Sequence, residues 1–442
     1  MLRICLVLIL LAFRSVSFCQ PNAAEKKKFS EEIERTITTM LDKWYPQSID
    51  EEYGGFLSTF TFDFKPTGEQ DKMIVSQARH TWTNARAAMR YQNKPHYAKA
   101  ASHGFQFLKN VMWDKTYGGF YQLVDRKGNV KGGDQKTAYG NSFAIYALAA
   151  YYAQSRDTAA LELAKKAFNW LEKHSHDPVH KGYFQHMLRD GTPVQRSGNT
   201  PSESDLGYKD QNSSIHLLEA FTELYHEWPD PLLRERLLEM LLLIRDKIVT
   251  PKGYMVLFFQ PDWTPVSFAD SSEAVILRHR YIDHVSFGHD VETAFLLIEA
   301  ATAAKLDDPK TLVVAKRMVD HTLQNGWDNN LGGFYDQGYY FKNKPGITII
   351  RAGKNWWSQV EGLNTLLFMS VVFPKDRNAY FDKSKKLWEY SQAYMIDHEN
   401  GDWYEEGIDH DPQRKKGLKG HIWKATYHQY RALTHCILSL KY

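Results

Sequence analysis

The sequence predicts an all-α protein, an (α/α)6 barrel of six helical hairpins with short β-hairpins and loops at one rim. Two observations support this fold: a glycine-aromatic motif recurs six times, and each copy lies between two stretches of helical periodicity. The motif reads YGGF at 53–56 and 117–120, GYF at 182–184, GYM at 253–255, GGF at 332–334 and GDW at 401–403. Successive copies lie 64 to 79 residues apart, which is typical of a repeat with loops of variable length.

Each of the six units begins with an amphipathic stretch that ends in a turn rich in Asp, Asn or Gly. We predict a helix, a tight turn, a short strand and a second helix in each unit, with glycine supplying positive φ in the turn. The first helices are predicted near 26–45, 97–113, 158–174, 230–249, 309–325 and 377–397. The second helices are predicted near 73–92, 136–155, 209–226, 285–304, 353–373 and 420–440.

The twelve predicted helices are expected to close into a ring. An open stack of hairpins needs polar capping repeats, but the last helix, HQYRALTHCILSLKY, is as apolar as the central ones. Because no Pro/Ser-rich linker interrupts the units, residues 20–442 are predicted to form a single domain.

The first 19 residues resemble a secretory signal peptide. Arg3 precedes an apolar run at 4–13, and small residues including Ser17 and Cys19 follow. Ten apolar residues are too few to span a bilayer, which needs about 20. We therefore expect a secreted or periplasmic protein without a membrane span. Lipid attachment at Cys19 is the alternative, which the bulky Phe18 disfavours.

Charge and cysteine content narrow the class of partner. The formal net charge is +3, and removal of the signal peptide takes away Arg3 and Arg14, leaving +1. So weak a charge gives no reason to expect nucleic acid or an anionic membrane. Only Cys436 remains in the body of the chain, so no disulfide framework is possible. We expect a monomer that binds a small soluble ligand.

Polar and aromatic residues stand near the starts of all six second helices, where the inner ring of a barrel would be apolar. They are Arg79, Tyr139, Asn212, His216, His289, Glu292, Trp356, Trp357, Glu361, Trp423 and His428. Any one alone is more simply a helix cap or a packing aromatic residue. Their recurrence in six units is harder to explain by packing, because buried polar groups need partners. We predict a ring of functional side chains around a cleft.

Two alternative chemistries use acids or metals. His and Glu ligands could bind a catalytic zinc ion, but the sequence has no His-Glu-x-x-His helix, and His289 with Glu292 is equally a hydrogen-bonded pair. Two carboxylates among Asp290, Glu292 and Glu361 could hydrolyse a glycosidic bond. A third alternative is a barrel that only binds sugars, through its tryptophans.

The histidines favour proton transfer at carbon. A neutral imidazole can remove a proton from a carbon next to a carbonyl, and a second imidazole can return one from the opposite side. His216, His289 and His428 are the candidates, and Arg79 would stabilise the enediolate oxygen.

The stretches QNSSIHLLEA, SFGHDVETAFLL, NWWSQVE and WKATYHQYR occur in an order and spacing that resemble the N-acylglucosamine 2-epimerase family, and within it the cellobiose 2-epimerases. The resemblance covers nearly all of the mature chain. It implies an (α/α)6 barrel that opens the reducing-end sugar, removes the C2 proton and returns one to the other face, without a metal or other cofactor.

The resemblance also implies roles for individual residues. His289 and His428 match the acid/base pair, His216 the ring-opening histidine, Arg79 the enediolate-binding arginine, and Glu292 the support of a catalytic histidine. Asn212 and Tyr139 match polar groups near the reducing sugar, and Trp357, Trp423 and Trp356 match walls of the site.

Two departures from the family pattern bear on substrate preference. Ser214 stands where the family usually has a histidine, and Thr426 stands where a proline is common. The sequence predicts a sugar 2-epimerase acting on the reducing end of a β-1,4-linked disaccharide such as cellobiose or mannobiose. An aldose-ketose isomerase or an N-acylglucosamine 2-epimerase remains the alternative within the same chemistry.

Overall fold

The structure is a computed structural model, and it describes residues 22–132, 135–196 and 204–442. The predicted signal peptide at 1–19, with Cys19, lies outside the described residues. Cys436 is fully buried in the last helix. Among the helices that the structure describes, none has both the length and the apolar character that crossing a bilayer requires.

Thirteen α-helices occur in the described residues. In chain order they are α1 (Ala23–Trp44), α2 (Ile74–Arg90), α3 (His96–Phe107), α4 (Ala138–Ser155), α5 (Thr158–His174), α6 (Gln211–Glu227), α7 (Pro231–Leu243), α8 (Glu273–Arg278), α9 (Phe287–Ala303), α10 (Pro309–Asn325), α11 (Trp356–Val372), α12 (Tyr380–Tyr394) and α13 (Tyr427–Ser439). Helices α3 and α7 each continue into one wide π-helical turn, at Leu108–Met112 and Ile244–Ile248.

The helices form two concentric rings. The inner ring contains α2, α4, α6, α9, α11 and α13, each packed against the next, and α13 packs against α2 to close it. The outer helices α3, α5, α7, α10 and α12 each pack against the inner helix that precedes them in the chain. Helix α1, the first of the described helices, packs against the last one, α13. The predicted (α/α)6 barrel is therefore confirmed.

All six copies of the glycine-aromatic motif form the same turn. In each, a residue shortly after the end of the outer helix pairs with an aromatic or apolar residue of the motif across a single antiparallel bridge. The bridges are Ile49 with Phe56, Trp113 with Phe120, His176 with Tyr183, Val249 with Met255, Trp327 with Phe334 and Ile396 with Trp403. The two glycines of YGGF adopt positive φ, at Gly54 (77°) and Gly55 (66°) in unit one, which a side chain would disfavour.

A buried ion pair fastens these turns to the inner helices in five of the six units. The turn begins with an aspartate whose side chain accepts backbone N–H groups and also binds a lysine Nζ. The pairs are Asp50 with Lys72 (2.8 Å), Asp114 with Lys136 (3.0 Å), Asp177 with Lys209 (2.7 Å), Asp328 with Lys354 (2.8 Å) and Asp397 with Lys419 (2.6 Å). Four of these lysines lie two residues before an inner helix.

Unit four differs from the others at both positions of this pair. Thr250 stands where the aspartate begins the other turns, and Val285 stands two residues before α9, where the lysine would be. Both charged residues are thus absent from these positions of unit four. A single buried ion without its partner would lower the stability of the fold, and the joint absence avoids this.

Lys209→Met is expected to lower the free energy of unfolding by about 3–5 kcal/mol, because it leaves Asp177 charged and buried. Urea unfolding measures the change. Lys131→Met is the control, because Lys131 pairs with Glu69 and Asp71 at the surface, where water screens the charges, and its loss should be much smaller. Equal losses in the two variants would contradict the structural role of the buried pair.

Within residues 22–132, 135–196 and 204–442, nine short strands lie at the rim from which the inner helices start. They are β1 (Lys72–Met73), β2 (Leu123–Val124), β3 (Gln135–Thr137), β4 (His186–Leu188), β5 (Lys209–Asp210), β6 (Phe258–Phe259), β7 (Val285–Ser286), β8 (Gln337–Tyr339) and β9 (Thr348–Arg351). The antiparallel pairs β1–β2, β3–β4, β5–β6 and β7–β8 join neighbouring units, and β8–β9 is a hairpin within unit five.

Two predicted details are corrected. The sixth inner helix was expected near 420–440 but begins only at Tyr427, because residues before it form an extended, turn-rich loop. Trp423 therefore lies in a turn and not on the helix. The helix α8 was not predicted; it belongs to a long loop of unit four that packs its own small apolar cluster around Phe268 and Ile276.

Candidate active site

Each inner helix contributes one residue to an upper tier near the strand-bearing rim and a second residue to a middle tier, three or four positions later. This spacing keeps both residues on the inward side of the helix, one turn apart. The upper tier is Arg79, Tyr139, His216, His289, Trp357 and His428. The middle tier is Trp82, Phe143, Glu219, Glu292, Glu361 and Arg431.

His289 and His428 lie against the same indole ring. The centroid of Trp357 is 4.6 Å from that of His289 and 5.9 Å from that of His428. The Nδ1 atom of His289 hydrogen-bonds to Ser286 Oγ at 2.7 Å, and Nδ1 of His428 to Glu361 Oε1 at 2.9 Å. Because Nδ1 is engaged in both rings, Nε2 is the atom that each presents to a ligand.

His216 is oriented in the same way on α6, the inner helix that precedes α9 in the ring. Its Nδ1 hydrogen-bonds to Glu219 Oε2 at 2.9 Å, one helical turn further along α6. The imidazole packs edge-on against Tyr139, at 5.2 Å between centroids, and against Phe143, at 4.7 Å. All three histidines of the upper tier thus have Nδ1 held by a partner from the chain.

Arg79 joins the first two units to the loop before α13. Its guanidinium donates to the carbonyl oxygen of Trp423 at 2.8 Å and to the hydroxyl of Tyr139 at 3.1 Å. It also lies over the rings of Phe143 and Tyr427, with 4.5 Å and 5.1 Å to the centroids. These contacts fix a buried positive charge at the level of the histidines.

Arg431 lies below the histidines and contacts three carboxylates from three helices. Its guanidinium is 2.8 Å from Glu361, 3.0 Å from Glu292 and 3.4 Å from Glu219. Two of these glutamates are the partners of the imidazoles, so one guanidinium supports the orientation of both His216 and His428.

The three glutamates differ in the pKa of their carboxyl groups. Burial would raise the pKa of Glu219, but Arg431 and hydrogen bonds from His216 and the Tyr427 hydroxyl outweigh it and hold this pKa at about 2. Burial raises the pKa of Glu361 to about 7, against the opposing effect of Arg431. Burial and the neighbouring Glu361 raise the pKa of Glu292 well above its usual range. Near neutral pH this pair holds protons, whereas Glu219 is ionised.

The histidines are uncharged at neutral pH. Burial lowers the pKa of His289 to about 3, helped by the nearby His216 and His284. Burial, with Arg79 and Arg431, lowers the pKa of His428 well below its usual range. A neutral imidazole with a free Nε2 can accept a proton, which is the property a general base needs.

Glu292, Glu361 and His428 present ligand atoms within 4.8 Å of one another, close enough to share a metal ion. Arg431 already contacts both carboxylates, and its guanidinium supplies the positive charge that an ion would bring. We therefore assign no metal to this cluster.

The remaining predicted residues are placed as follows. Trp423 lies in the turn before α13, with its side chain exposed at the mouth and its ring 6.3 Å from Tyr139. Asn212 lies beside the hydroxyl of Tyr139, and burial raises the pKa of that tyrosine. Trp356 points away from the upper tier, toward His421 and Lys424. The structure thus brings Asn212 and Trp423 to the cleft, and not Trp356.

Glu292 does not pair with His289, although three positions separate them on α9. Its carboxylate accepts from Arg431 and lies 3.7 Å from Nδ1 of His428, while Ser286 holds His289. Glu361, predicted as a member of the ring of functional side chains, hydrogen-bonds to His428. The helix directs Glu292 one turn deeper than His289, where the cation is the nearer partner.

Three residues that the site prediction left out complete it: Ser286, Glu219 and Arg431. Each stands three positions from a histidine of the upper tier, on the same helical face or at the helix start. Spacing alone could have nominated all three, but it gave no reason to prefer them over other polar neighbours.

The chain resembles known proteins along nearly its whole length. A sequence profile described as N-acylglucosamine 2-epimerase (GlcNAc 2-epimerase) matches residues 54–432. A cellobiose 2-epimerase of Bacteroides fragilis is 28% identical over 404 residues, covering 91% of this chain and 96% of that protein. A D-mannose isomerase of Marinomonas mediterranea is 26% identical over 413 residues, covering 92% and 95%. The solved structure of cellobiose 2-epimerase from Bacillus thermoamylovorans B4167 matches with a TM-score of 0.81 and 26% identity, covering 93% of this chain and 99% of that chain.

A helical barrel with this site and these relatives is an enzyme of the carbohydrate epimerase and isomerase class. The chain belongs to the N-acylglucosamine 2-epimerase family. The resemblance identified from the sequence motifs is confirmed.

Proposed function

We propose that the protein is a cofactor-independent 2-epimerase acting on the reducing-end residue of a β-1,4-linked disaccharide such as cellobiose or mannobiose. One observation carries the proposal: two neutral imidazoles, His289 and His428, lie beside Trp357 and have chemically different partners, a hydroxyl group and a carboxyl group. A two-base reaction needs this pairing of groups whose surroundings differ.

His289 is the proposed base for the gluco sugar. Its partner is the uncharged hydroxyl of Ser286, and nothing in that contact favours an imidazolium. In the open-chain sugar, Nε2 would take the proton from C2, and the C2–H electrons would form a C1–C2 double bond. The π electrons of the carbonyl group would move to its oxygen, which gives an enediolate.

His428 and Glu361 are the proposed proton donor. Their hydrogen bond joins an imidazole to a carboxyl group whose pKa is about 7, so the pair can hold one proton near neutral pH. Delivery of that proton through Nε2 to the opposite face of C2 would complete the inversion. In the reverse direction the two groups exchange roles.

Arg79 is the proposed partner of the enediolate oxygen, because a buried guanidinium stabilises charge that develops in the transition state. His216, with Tyr139 and Asn212 beside it, is the proposed group for ring opening. The exposed indole of Trp423 at the mouth offers a stacking face for a sugar beyond the reducing end.

Aldose-ketose isomerisation is the second candidate, and the D-mannose isomerase relative favours it. It would use the same enediolate but return the proton to C1, giving a ketose. Glycoside hydrolysis has less support, because Glu292 and Glu361 are both engaged by Arg431 beneath the histidines.

Incubation with cellobiose in deuterated water is expected to place deuterium at C2 and to yield a manno product, with activity that resists chelators. Mannose and N-acetylglucosamine, tested in parallel, separate the family alternatives. Deuterium at C1 with a ketose product would establish the isomerase instead. Unlabelled monosaccharides would indicate hydrolysis, and inertness toward all three sugars would support a barrel that only binds.

A further inference from the structure

In four of the six units, the fourth residue of the inner helix makes the same hydrogen bond to the motif turn. Its side-chain oxygen accepts the backbone N–H of the aromatic or apolar residue that ends the glycine-aromatic motif, and this bond fixes the turn to the helix. The four contacts are Gln77 to Phe56 (2.8 Å), Asn141 to Phe120 (2.9 Å), Asp290 to Met255 (2.9 Å) and Gln359 to Phe334 (2.8 Å).

Three of these four residues are amides, and each also donates. Gln77 Nε2 donates to the carbonyl oxygen of Phe56 at 2.8 Å. Asn141 Nδ2 donates to that of Thr137 at 2.8 Å, and Gln359 Nε2 to that of Phe334 at 3.0 Å. The position therefore calls for one acceptor and one donor on the same side chain.

Asp290 occupies this position in unit four, and an ionised carboxylate has no donor. Its Oδ1 accepts from Met255, while Oδ2 is buried without a hydrogen-bond partner in the described part of the chain. The residue is 1% exposed. A carboxylic acid carrying its proton on Oδ2 has the acceptor and donor pattern of an amide.

Among the described residues, no cation pairs with the carboxyl group of Asp290. The titratable groups that interact with it are the phenols of Tyr254, in the turn, and Tyr340, after β8. His321 on α10 hydrogen-bonds to Tyr340, and Lys252 lies over the ring of Tyr340. Burial raises the pKa of Asp290 well above its usual range.

We infer that Asp290 is an uncharged carboxylic acid in the folded protein, filling the place of an amide and keeping a negative charge away from the adjacent His289. The part that concerns His289 rests on the proposed function. An ionised Asp290 one residue away would favour the imidazolium and reduce the supply of neutral base. Asp290 is thus a positioning residue.

Infrared difference spectra of the wild type and Asp290→Asn test the protonation directly. We expect a carbonyl stretching band of a protonated carboxyl group, sensitive to deuterated water, that is missing in Asp290→Asn. A spectrum in which the substitution removes only ionised carboxylate bands would overturn the inference.

The pH dependence of unfolding gives a second test. Because the folded protein holds the Asp290 proton above the unfolded pKa of about 3.9, wild-type stability falls with rising pH relative to Asp290→Asn. The ratio of the two unfolding constants should change about tenfold per pH unit above that value, until the folded carboxyl group ionises. A ratio that is constant with pH would overturn the inference.

Asn141→Asp is the matched control, because it places a carboxyl group at the equivalent position of α4. It should acquire the pH-dependent loss of stability that Asp290→Asn removes. Asp290→Ala, which lacks both donor and acceptor, should be destabilised at every pH.

Turnover measurements distinguish a failure of this inference from a failure of the proposed function. Asp290→Asn should keep turnover within a few-fold, because the amide is uncharged and makes the same contacts. If the spectra and the unfolding data agree with the inference but the wild type epimerises no sugar, the proposed function alone fails. If Asp290→Asn folds and loses turnover, the role toward His289 is overturned.

Discussion

His289→Ala and His428→Ala are each expected to slow epimerisation by about 10²- to 10⁴-fold, which is the usual contribution of one general acid or base. The fall should be in kcat more than in KM, because the proton transfers stabilise the transition state. Both imidazoles lie against Trp357 with Nδ1 already engaged, so neither has a substitute in the same place. Steady-state rates of manno product formation from cellobiose measure the loss.

Deuterium exchange at C2 should distinguish the two variants, because each retains a base on only one face of the sugar carbon. In His428→Ala, the gluco sugar should still lose its C2 proton to His289 and regain deuterium without forming manno product. In His289→Ala, the manno sugar should exchange and the gluco sugar should not. Exchange of both sugars by both variants would contradict a base on each face of C2.

His180→Ala serves as the control for this series, because His180 is exposed in the turn of unit three, away from the inner ring. It should leave both rates and exchange unchanged. Far-ultraviolet circular dichroism and a melting curve for each variant confirm that lost activity does not reflect unfolding.

Arg431→Met is expected to lower the free energy of unfolding by about 3–5 kcal/mol and to abolish turnover. The side chain is 1% exposed and contacts Glu219, Glu292 and Glu361, so its removal leaves buried carboxylates without a cation. It also frees the two glutamates that orient His216 and His428. Urea unfolding and epimerase assays measure the two effects.

The loss in Arg431→Met should depend on pH. Without the guanidinium, the glutamates retain protons in the folded state above their unfolded pKa of about 4.3, so stability falls as pH rises through neutrality. The deficit relative to wild type should therefore be larger at pH 8 than at pH 5. Glu219→Gln added to Arg431→Met should recover part of the stability, because it removes one of the stranded charges.

Arg86→Met is the matched control, because Arg86 pairs with Glu223 alone and its side chain is 27% exposed. Its loss should be smaller and should leave turnover largely intact. Arg431→Lys should recover only part of the function, since an ammonium cannot engage three carboxylates as a guanidinium does. A loss for Arg431→Met no larger than that for Arg86→Met would contradict the central position of Arg431.

The helices could be predicted because their signals are local. Apolar periodicity and a recurring turn motif located the twelve helices of the two rings, and only the loop around Trp423 and the added helix α8 were misjudged. The apolar periodicity of the sequence continues through 420–426, but Gly420 forms a bridge with Phe60 of unit one and His421 forms one with Lys424, so the helix starts later.

The buried lysines were not predicted, although Lys72, Lys136 and Lys209 stand at equivalent places in their units. A single lysine before a helix is ordinarily solvated. Only the folded ring shows that each reaches an aspartate more than 20 residues earlier in the chain.

The residue types of the site were available from the sequence, because each stands at the start of an inner helix. His216, His289, His428 and Arg79 were all named there, and the structure brings them to one rim. Their partners could be anticipated only where partner and histidine share a helix, as Glu219 and His216 do.

The sequence by itself determined the six-unit repeat, the helical hairpins and the identity of the polar residues that line the ring, since these follow from spacing along one chain. Only the tertiary structure decided that Glu361 holds His428, that Arg431 joins three glutamates, and that Trp357 rather than Trp356 lies beside the histidines. These contacts join helices that are distant in the chain. They depend on the rotation of each helix about its axis in the closed ring, and the spacing of residues within one helix does not determine that rotation.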